Sequence, residues 1–225
     1  MERFFDILFS GLALLVLSPL LVPIVIILKC SGEREVFFLQ ERIGKDGKLF
    51  KLFKFATMLK DSPNLGTGTV TMRGDPRVLP VGQFLRKTKI NELPQLLNIF
   101  FGDMSVIGPR PLTAQTFGSY SDSTQDVIKQ VRPGLSGVGS IIFRGEEDIM
   151  HGATASVDFY DNVIAPYKGA LEEWFVSNKN LYIYFMAIFT TVWAVLFPKT
   201  KVAWTVFKGL PEPPEELKLA LNYKD

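Results

Sequence analysis

The run Ile7-Leu8-Phe9-Ser10-Gly11-Leu12-Ala13-Leu14-Leu15-Val16-Leu17-Ser18-Pro19-Leu20-Leu21-Val22-Pro23-Ile24-Val25-Ile26-Ile27-Leu28 decides how this chain is built. Its 22 residues carry no charge, and as a straight helix they reach roughly 33 Å, enough for a bilayer core of about 30 Å. Ser18-Pro19 and Pro23 stand near the middle. Proline has no amide hydrogen and its ring crowds the carbonyl four residues back, so Pro19 deprives the Leu15 carbonyl of its helical donor. A break at Ser18 and Pro19 is therefore predicted, with the Ser18 hydroxyl as a local donor for a freed carbonyl. Two topologies satisfy the pattern: a kinked helix that spans once, and a helix-break-helix that enters and leaves by the same face. A cleaved leader is disfavoured, because the run is long for one and Lys29 stands where a cleavage site requires a small residue.

Outward from this run, residues 41–90 carry 11 basic and 4 acidic side chains, whereas residues 145–225 carry 7 basic and 11 acidic. A basic stretch beside a membrane element stays on the cytoplasmic side and meets anionic headgroups or phosphorylated ligands. No nucleic-acid motif accompanies it. A second uncharged stretch, Leu181 to Phe197, has 17 residues and includes Tyr182, Tyr184 and Trp193, types favoured at the water–lipid boundary. It is short for a crossing, which predicts a helix lying in the interface or packed beneath the first element. With 47% apolar and 21% charged residues, one Cys and one His, the chain is neither disordered nor disulfide-framed, and it cannot build a structural zinc or iron–sulfur site. Oxygen ligands remain, which points any metal toward magnesium.

Between the apolar elements, Val36 to Arg42 and Phe50 to Met58 read as strands of a small hairpin turning through Gly44-Lys45-Asp46-Gly47, with Lys51 and Lys54 projecting from the second. Leu93, Leu96, Leu97 and Phe100 recur at helical spacing. That predicts a helix starting near Asn91, with Asn91 as its N-cap, Glu92 in the first turn and Pro94 tolerated there. The same residues also have a chemical reading. A helix start presents free N–H groups to anions, and Arg77, Arg86 and Arg110 supply guanidinium forks for phosphate. Glu92 and Asp103 offer carboxylates of the kind that hold Mg²⁺ against a diphosphate. Pro109 and Pro111 stiffen the backbone around Arg110. Any one arginine is commonly a solvated surface residue; their grouping with a carboxylate next to a membrane element is what points to phosphoryl transfer. Downstream, Glu146, Glu147 and Asp148 read as a solvated helix start rather than a metal cluster, and His151 as a surface histidine. The tail from Leu210 to Glu216 reads as an extended segment leading to a short final helix.

The order of these motifs resembles that of the bacterial sugar transferases, the small monotopic phosphoglycosyl transferases that start assembly of surface glycans. The resemblance rests on the apolar run with Ser18-Pro19, Gln40-Glu41-Arg42-Ile43-Gly44, Lys54-Phe55-Ala56-Thr57-Met58 and Asp75-Pro76-Arg77. It continues through Leu85-Arg86-Lys87-Thr88, Glu92-Leu93-Pro94-Gln95-Leu96, Gly102-Asp103-Met104-Ser105, Gly108-Pro109-Arg110-Pro111 and Arg132-Pro133-Gly134-Leu135-Ser136-Gly137. It implies a Mg²⁺-dependent enzyme that moves a sugar 1-phosphate from a UDP-sugar to polyprenyl (undecaprenyl) phosphate and releases UMP, at the cytoplasmic face of a bacterial inner membrane. The implied fold is an α/β monotopic membrane protein with a re-entrant hairpin over 1–30 and a catalytic domain over 31–180 with a small sheet and several helices. Interfacial helices over 181–208 and a tail over 209–225 complete it. The Ser18-Pro19 pair would keep both ends of the hairpin cytoplasmic. Lys54, Arg77, Arg86, Arg110, Arg132 and Arg144 are the implied substrate-binding residues, and Glu92 and Asp103 the metal ligands. Besides the two substrates and inner-membrane lipid, later glycosyltransferases of the same pathway and a second copy of the chain are the candidate partners.

The family's catalytic centre is an Asp-Glu pair whose Asp attacks phosphorus, and here the pair reads Asn91-Glu92. An amide carries no charge and its oxygen is a weak nucleophile. Three readings follow: Glu92 attacks while Asn91 orients it or a phosphate oxygen, the lipid phosphate attacks directly, or the chain is a catalytically silent scaffold that binds UDP-sugar or polyprenyl phosphate. Retention of the other phosphate-binding residues favours a working enzyme in which Glu92 is indispensable.

Overall fold

A computed structural model describes residues 1–64, 75–144, 159–197 and 200–223. Glu146, Glu147, Asp148 and His151, singled out above, lie outside the described residues. The apolar run forms a single helix, α1 (Glu2–Cys30), continuous through Pro19 and Pro23, so the predicted break is not an interruption of the helix. The predicted compensation is present: Ser18 Oγ donates to the Leu15 carbonyl at 2.7 Å, the group that Pro19 leaves without a donor. The helix is long and apolar enough to cross a membrane. Only 11% of its most apolar window is buried, unlike a core helix of a water-soluble fold.

The chain divides into two units, the first holding residues 1–6, 42–50 and 102–225, the second 7–41 and 51–101. β1 (Phe37–Ile43) and β2 (Leu49–Phe55) form a two-stranded sheet. Their connection is a short 3₁₀ turn, Lys45–Gly47, in which Asp46 (φ 58°) and Gly47 (φ 72°) are left-handed, as the predicted turn residues allow.

In the second unit the core joins Ile24 and Leu28 of α1 to Phe55 of β2 and Leu85 of α2 (Pro80–Lys87). Each such side chain contributes roughly 1.5–3 kcal/mol on full burial. Pro80 opens α2 at a position where its missing N–H is harmless. Gly82 brings α2 against Thr57, since a Cβ there would lie 2.1 Å from the Thr57 carbonyl oxygen. The buried Asn98 of α3 (Gln95–Phe101) accepts from the Phe53 N–H at 2.9 Å and donates to the Lys51 carbonyl at 2.8 Å, which ties α3 to β2. Replacing Asn98 by Leu strands both backbone groups. The expected loss is about 2–3 kcal/mol, read as a lowered thermal midpoint of the detergent-extracted protein; an unchanged midpoint would remove Asn98 from the framework.

In the first unit β3 (Ser105–Ile107) lies parallel to β4 (Gly134–Ser136), with Ser105 opposite Gly134 and Ile107 opposite Ser136. Parallel neighbours need a crossover. Here it carries α4 (Ala114–Gly118) and α5 (Asp122–Ile128), capped by the Thr113 and Ser121 hydroxyls. Leu112, Tyr120, Ile128 and Ala165 form a core beneath it. Then follow α6 (Val138–Ile142), α7 (Ala165–Asn178), α8 (Leu181–Leu196), α9 (Val202–Val206) and α10 (Glu215–Lys218). A π-helical turn, Tyr160–Ile164, precedes α7. Asn180 caps α8 by accepting from the Ile183 N–H at 2.9 Å. One side of α8 is buried through Ile183, Tyr184, Ala187, Thr190 and Ala194, while Tyr182, Phe189, Val192 and Leu196 are exposed. Asp6, at the start of α1, accepts from Ser105 Oγ, the Val106 N–H and Tyr184 Oη, each at 2.9 Å, and so pins the helix start to β3 and α8. The extended tail packs back, with Tyr167 Oη donating to the Pro211 carbonyl at 2.9 Å and Leu217 and Leu221 buried. Among the described residues the fold is thus a mixed one of helices with two small sheets.

Candidate active site

The helix predicted to begin near Asn91 begins at Gln95 instead. Lys89 is left-handed (φ 59°), residues Ile90–Glu92 form a 3₁₀ turn, and Asn91 lies inside that turn rather than at an N-cap. The reason is Pro94, which has no N–H to start an α-helical ladder and forces tighter bonds on both sides. Glu92 N–H donates to Lys89 O, Leu93 N–H to Ile90 O, Leu96 N–H to Leu93 O and Leu97 N–H to Pro94 O, at 2.9–3.1 Å. Of the N–H groups that a helix start at Asn91 would offer an anion, those of Glu92 and Leu93 are spent on the turn and Pro94 has none, so the chemistry falls to side chains.

In this second unit Lys54 Nζ lies 3.8 Å from Glu92 Oε1, with 23% and 38% of the two side chains exposed. β2 supplies the lysine and the 3₁₀ turn the carboxylate. Asn91 Oδ1 is buried and has no hydrogen-bond partner. A buried carbonyl oxygen left unpaired costs roughly 1–3 kcal/mol, so it marks a place for a donor or a cation. Arg86, near the end of α2, makes a long hydrogen bond of 3.4 Å to Thr57 Oγ1, so the Leu85-Arg86 and Lys54–Met58 motifs meet there. Arg77 does not join them. Its Nε and Nη2 donate to the Asp75 carboxylate at 2.9 and 2.6 Å and its Nη1 to the Ser62 carbonyl at 2.7 Å, and only 6% of the residue is exposed. The expected phosphate contact is thereby corrected: a fully bonded, buried guanidinium holds its own loop together.

In the first unit the Gly108-Pro109-Arg110-Pro111 and Arg132–Gly137 motifs cross without room for side chains, since a Cβ on Gly137 would sit 2.1 Å from the Gly108 carbonyl oxygen. Arg110 is exposed, while Glu172 on α7 is buried and its Oε2 atom has no hydrogen-bond partner. Burial pushes the Glu172 carboxyl up to about 7, against the lowering effects of the Arg110 backbone and of the Lys168 and Arg110 charges. Arg132 Nε donates to the Gly102 carbonyl at 2.7 Å, which steadies the left-handed turn at Gly102 (φ 105°) ahead of the exposed Asp103. Arg144 is exposed just beyond α6. Glu172 was missed in the sequence because Glu172-Glu173 looks like any solvated acidic pair; only burial separates the two.

Among the described residues no three His, Cys, Asp or Glu side chains cluster as metal ligands. The oxygens of Asn91 and Glu92 could hold a divalent ion whose remaining ligands are phosphate and water, the usual division for magnesium. The profile of the bacterial sugar transferases matches residues 1–198. Over 208 residues the chain is 34% identical to the exopolysaccharide production protein ExoY of Rhizobium meliloti, covering 86% of this chain and 84% of that one. It is 38% identical over 162 residues to the UDP-glucose:undecaprenyl-phosphate glucose-1-phosphate transferase of Escherichia coli, covering 71% and 35% of the two chains. To the UDP-N-acetylgalactosamine-undecaprenyl-phosphate N-acetylgalactosaminephosphotransferase of Aeromonas hydrophila it is 33% identical over 198 residues, covering 87% and 43%.

Proposed function

The chain belongs to the bacterial sugar transferase family, and on that premise we propose that it transfers a sugar 1-phosphate from a UDP-sugar to undecaprenyl phosphate, releasing UMP, as the first membrane step of a surface glycan. The observation that carries this reading is the pairing of Lys54 with Glu92 in a turn that also buries the unpartnered Asn91 oxygen. Glu92 is the attacking carboxylate, because the Asn91 oxygen is both buried and an amide. A Glu92 oxygen forms a bond to the sugar-bearing phosphorus as the bond to the UMP oxygen breaks, and that electron pair leaves with UMP. An oxygen of undecaprenyl phosphate then attacks the same phosphorus and frees the carboxylate. Lys54 faces Glu92 at 3.8 Å and offsets the negative charge of an arriving phosphate. In the second unit Arg86 binds phosphate oxygens; in the first unit, taken by itself, Arg110 is the phosphate ligand, with Arg132 and Arg144 in supporting roles. Asn91 Oδ1 and Glu92 would be the ligands for Mg²⁺, an assignment that the unpaired buried oxygen supports; Asp103 of the first unit is proposed separately as a metal-directed carboxylate. Bound there, the ion neutralises diphosphate charge.

The protein acts at the cytoplasmic face of the inner membrane. α1 runs unbroken through Pro19, so the re-entrant course proposed for it needs a bend at Ser18-Pro19 within the continuous helix, and the exposed apolar side of α8 lies in the interface. The test supplies detergent-extracted protein with undecaprenyl phosphate, Mg²⁺ and, in turn, UDP-glucose, UDP-galactose and UDP-N-acetylgalactosamine. Sustained UMP release that requires the lipid and yields a lipid-linked sugar is the expected result. Binding without UMP for every donor would turn the reading to the silent scaffold, and UMP without lipid would turn it to a nucleotide-sugar hydrolase.

A further inference from the structure

We propose that Lys89 binds a substrate phosphate, from a backbone position beside Asn91 and Glu92 that glycine would occupy with less strain. The inference deepens the reading of this turn as the active site and rests on it. Among the described residues, the positive-φ positions are Gly32, Gly47, Gly102 and Gly209, the short polar Asp46 and Asn222, and two long cations, Arg34 and Lys89. Glycine is unstrained in this region and Asp or Asn tolerates it, whereas the Cβ of other residues crowds the following carbonyl. Arg34 lies in the link between α1 and β1. Lys89 alone of these stands in the segment that carries Asn91 and Glu92.

Packing of the neighbours imposes this conformation on Lys89. Leu85 of α2 belongs to the core and Ile90 packs against the same core, so the chain has to reverse in the few residues between them. Thr88 closes α2, its Oγ1 donating to the Phe84 carbonyl at 2.8 Å. Lys89 (φ 59°, ψ 9°) then makes the reversal: its N–H donates to the Arg86 carbonyl and its own carbonyl accepts from the Glu92 N–H, each at 3.1 Å. A left-handed residue just past a helix end is the usual place for glycine. A lysine there adds strain that the surrounding bonds hold in place, and strain of this kind collects at ligand sites. The Lys89 side chain is exposed and joins no ion pair among the described residues, whereas Lys54 is already turned to Glu92 at 3.8 Å. A solvated ammonium does nothing for the turn that offsets the strain, so its presence is better explained by a ligand than by stability. Arg86-Lys87-Thr88-Lys89 puts three cations into four residues directly ahead of the turn, which makes that ligand an anion. The diphosphate of the sugar nucleotide and the phosphate of the lipid share the required chemistry, and a lysine meets either as a mobile point charge.

Lys89→Gly separates a ligand role from a structural one, because it relaxes the backbone while removing the charge. The thermal midpoint of the detergent-extracted protein should hold or rise by up to about 4 °C, while phosphate binding weakens about tenfold. Lys89→Asn, which also tolerates the left-handed region, should show the same loss, and Lys89→Arg should keep most of the binding. Two measurements on each variant tell the phosphates apart. A raised Kd for UDP-glucose assigns Lys89 to the nucleotide diphosphate; a raised KM for undecaprenyl phosphate at saturating UDP-glucose assigns it to the lipid phosphate. Wild-type values of both in the Gly and Asn variants overturn the proposal. So does a loss that comes with a lowered midpoint in Lys89→Gly, or one that Lys89→Arg shows in full. Arg86→Ala separates the proposal from its premise. If it weakens binding while the Lys89 variants do not, only the role of Lys89 fails; if it too leaves both values unchanged, the turn is not a phosphate site.

Discussion

Glu92→Gln should abolish sustained UMP release, a loss of about 10⁴-fold or more, as for removal of an attacking group in other covalent mechanisms. The substitution keeps the shape of the 3₁₀ turn and removes the charge that Lys54 faces at 3.8 Å, so a folding defect is not expected. Asn91→Ala should be far milder, because that residue contributes an oxygen to binding and not the bond to phosphorus. Intact-mass measurement without lipid acceptor should show wild-type protein gaining one sugar phosphate and Glu92→Gln gaining none. The double change Asn91→Asp with Glu92→Gln is the sharpest arm. Recovered turnover in it would show that a carboxylate at position 91 can take over the attack, while turnover retained by Glu92→Gln alone would overturn the role given to Glu92. Turnover by wild-type protein with no adduct at any time would favour direct attack by the lipid phosphate.

The second large effect is expected at the crossing of the two glycine motifs. A Cβ on Gly137 would stand 2.1 Å from the Gly108 carbonyl oxygen, a separation that no side-chain rotation relieves because the neighbour is backbone. Gly137→Ala should cost about 3 kcal/mol or more through forced separation of the segments. Since Gly108 leads directly into Arg110, binding of UDP-glucose should weaken along with stability. Gly118→Ala is the matched control: nothing lies within 4 Å of its would-be Cβ, and it sits in α4. There the change should be neutral or stabilising by about 0.5–1 kcal/mol. Thermal melts of the two variants side by side check the pair, and equal midpoints would show that the crossing is not closely packed.

Much of this architecture is legible from local rules. The uncharged length of α1, the hairpin turn at 44–47 and the helix over 181–196 each follow from charge, turn chemistry and periodicity within a few residues of chain. The Ser18 bond to Leu15 is equally local, a donor three residues from the carbonyl that Pro19 strands. The site was legible as a set of motifs but not as a set of roles. Arg77 and Arg86 look alike in sequence, yet one is folded inward on Asp75 and the other reaches only Thr57 at 3.4 Å. The start of α3 was misplaced by four residues because apolar spacing at 93, 96, 97 and 100 suits a 3₁₀ turn running into a helix as well as one continuous helix, and Pro94 decides between them.

Residue order by itself determined the membrane-length helix, the succession of small strands and helices, and the phosphate-directed motifs, because charge, turn preference and missing amide hydrogens act between near neighbours. Only the tertiary structure decided that Glu92 faces Lys54, that Asn91 keeps a buried unpaired oxygen, and that Glu172 is buried. Those outcomes depend on which distant segments exclude water from one another. Burial and the pairing of charges are properties of packed surfaces, and the spacing of residues along the chain does not contain them.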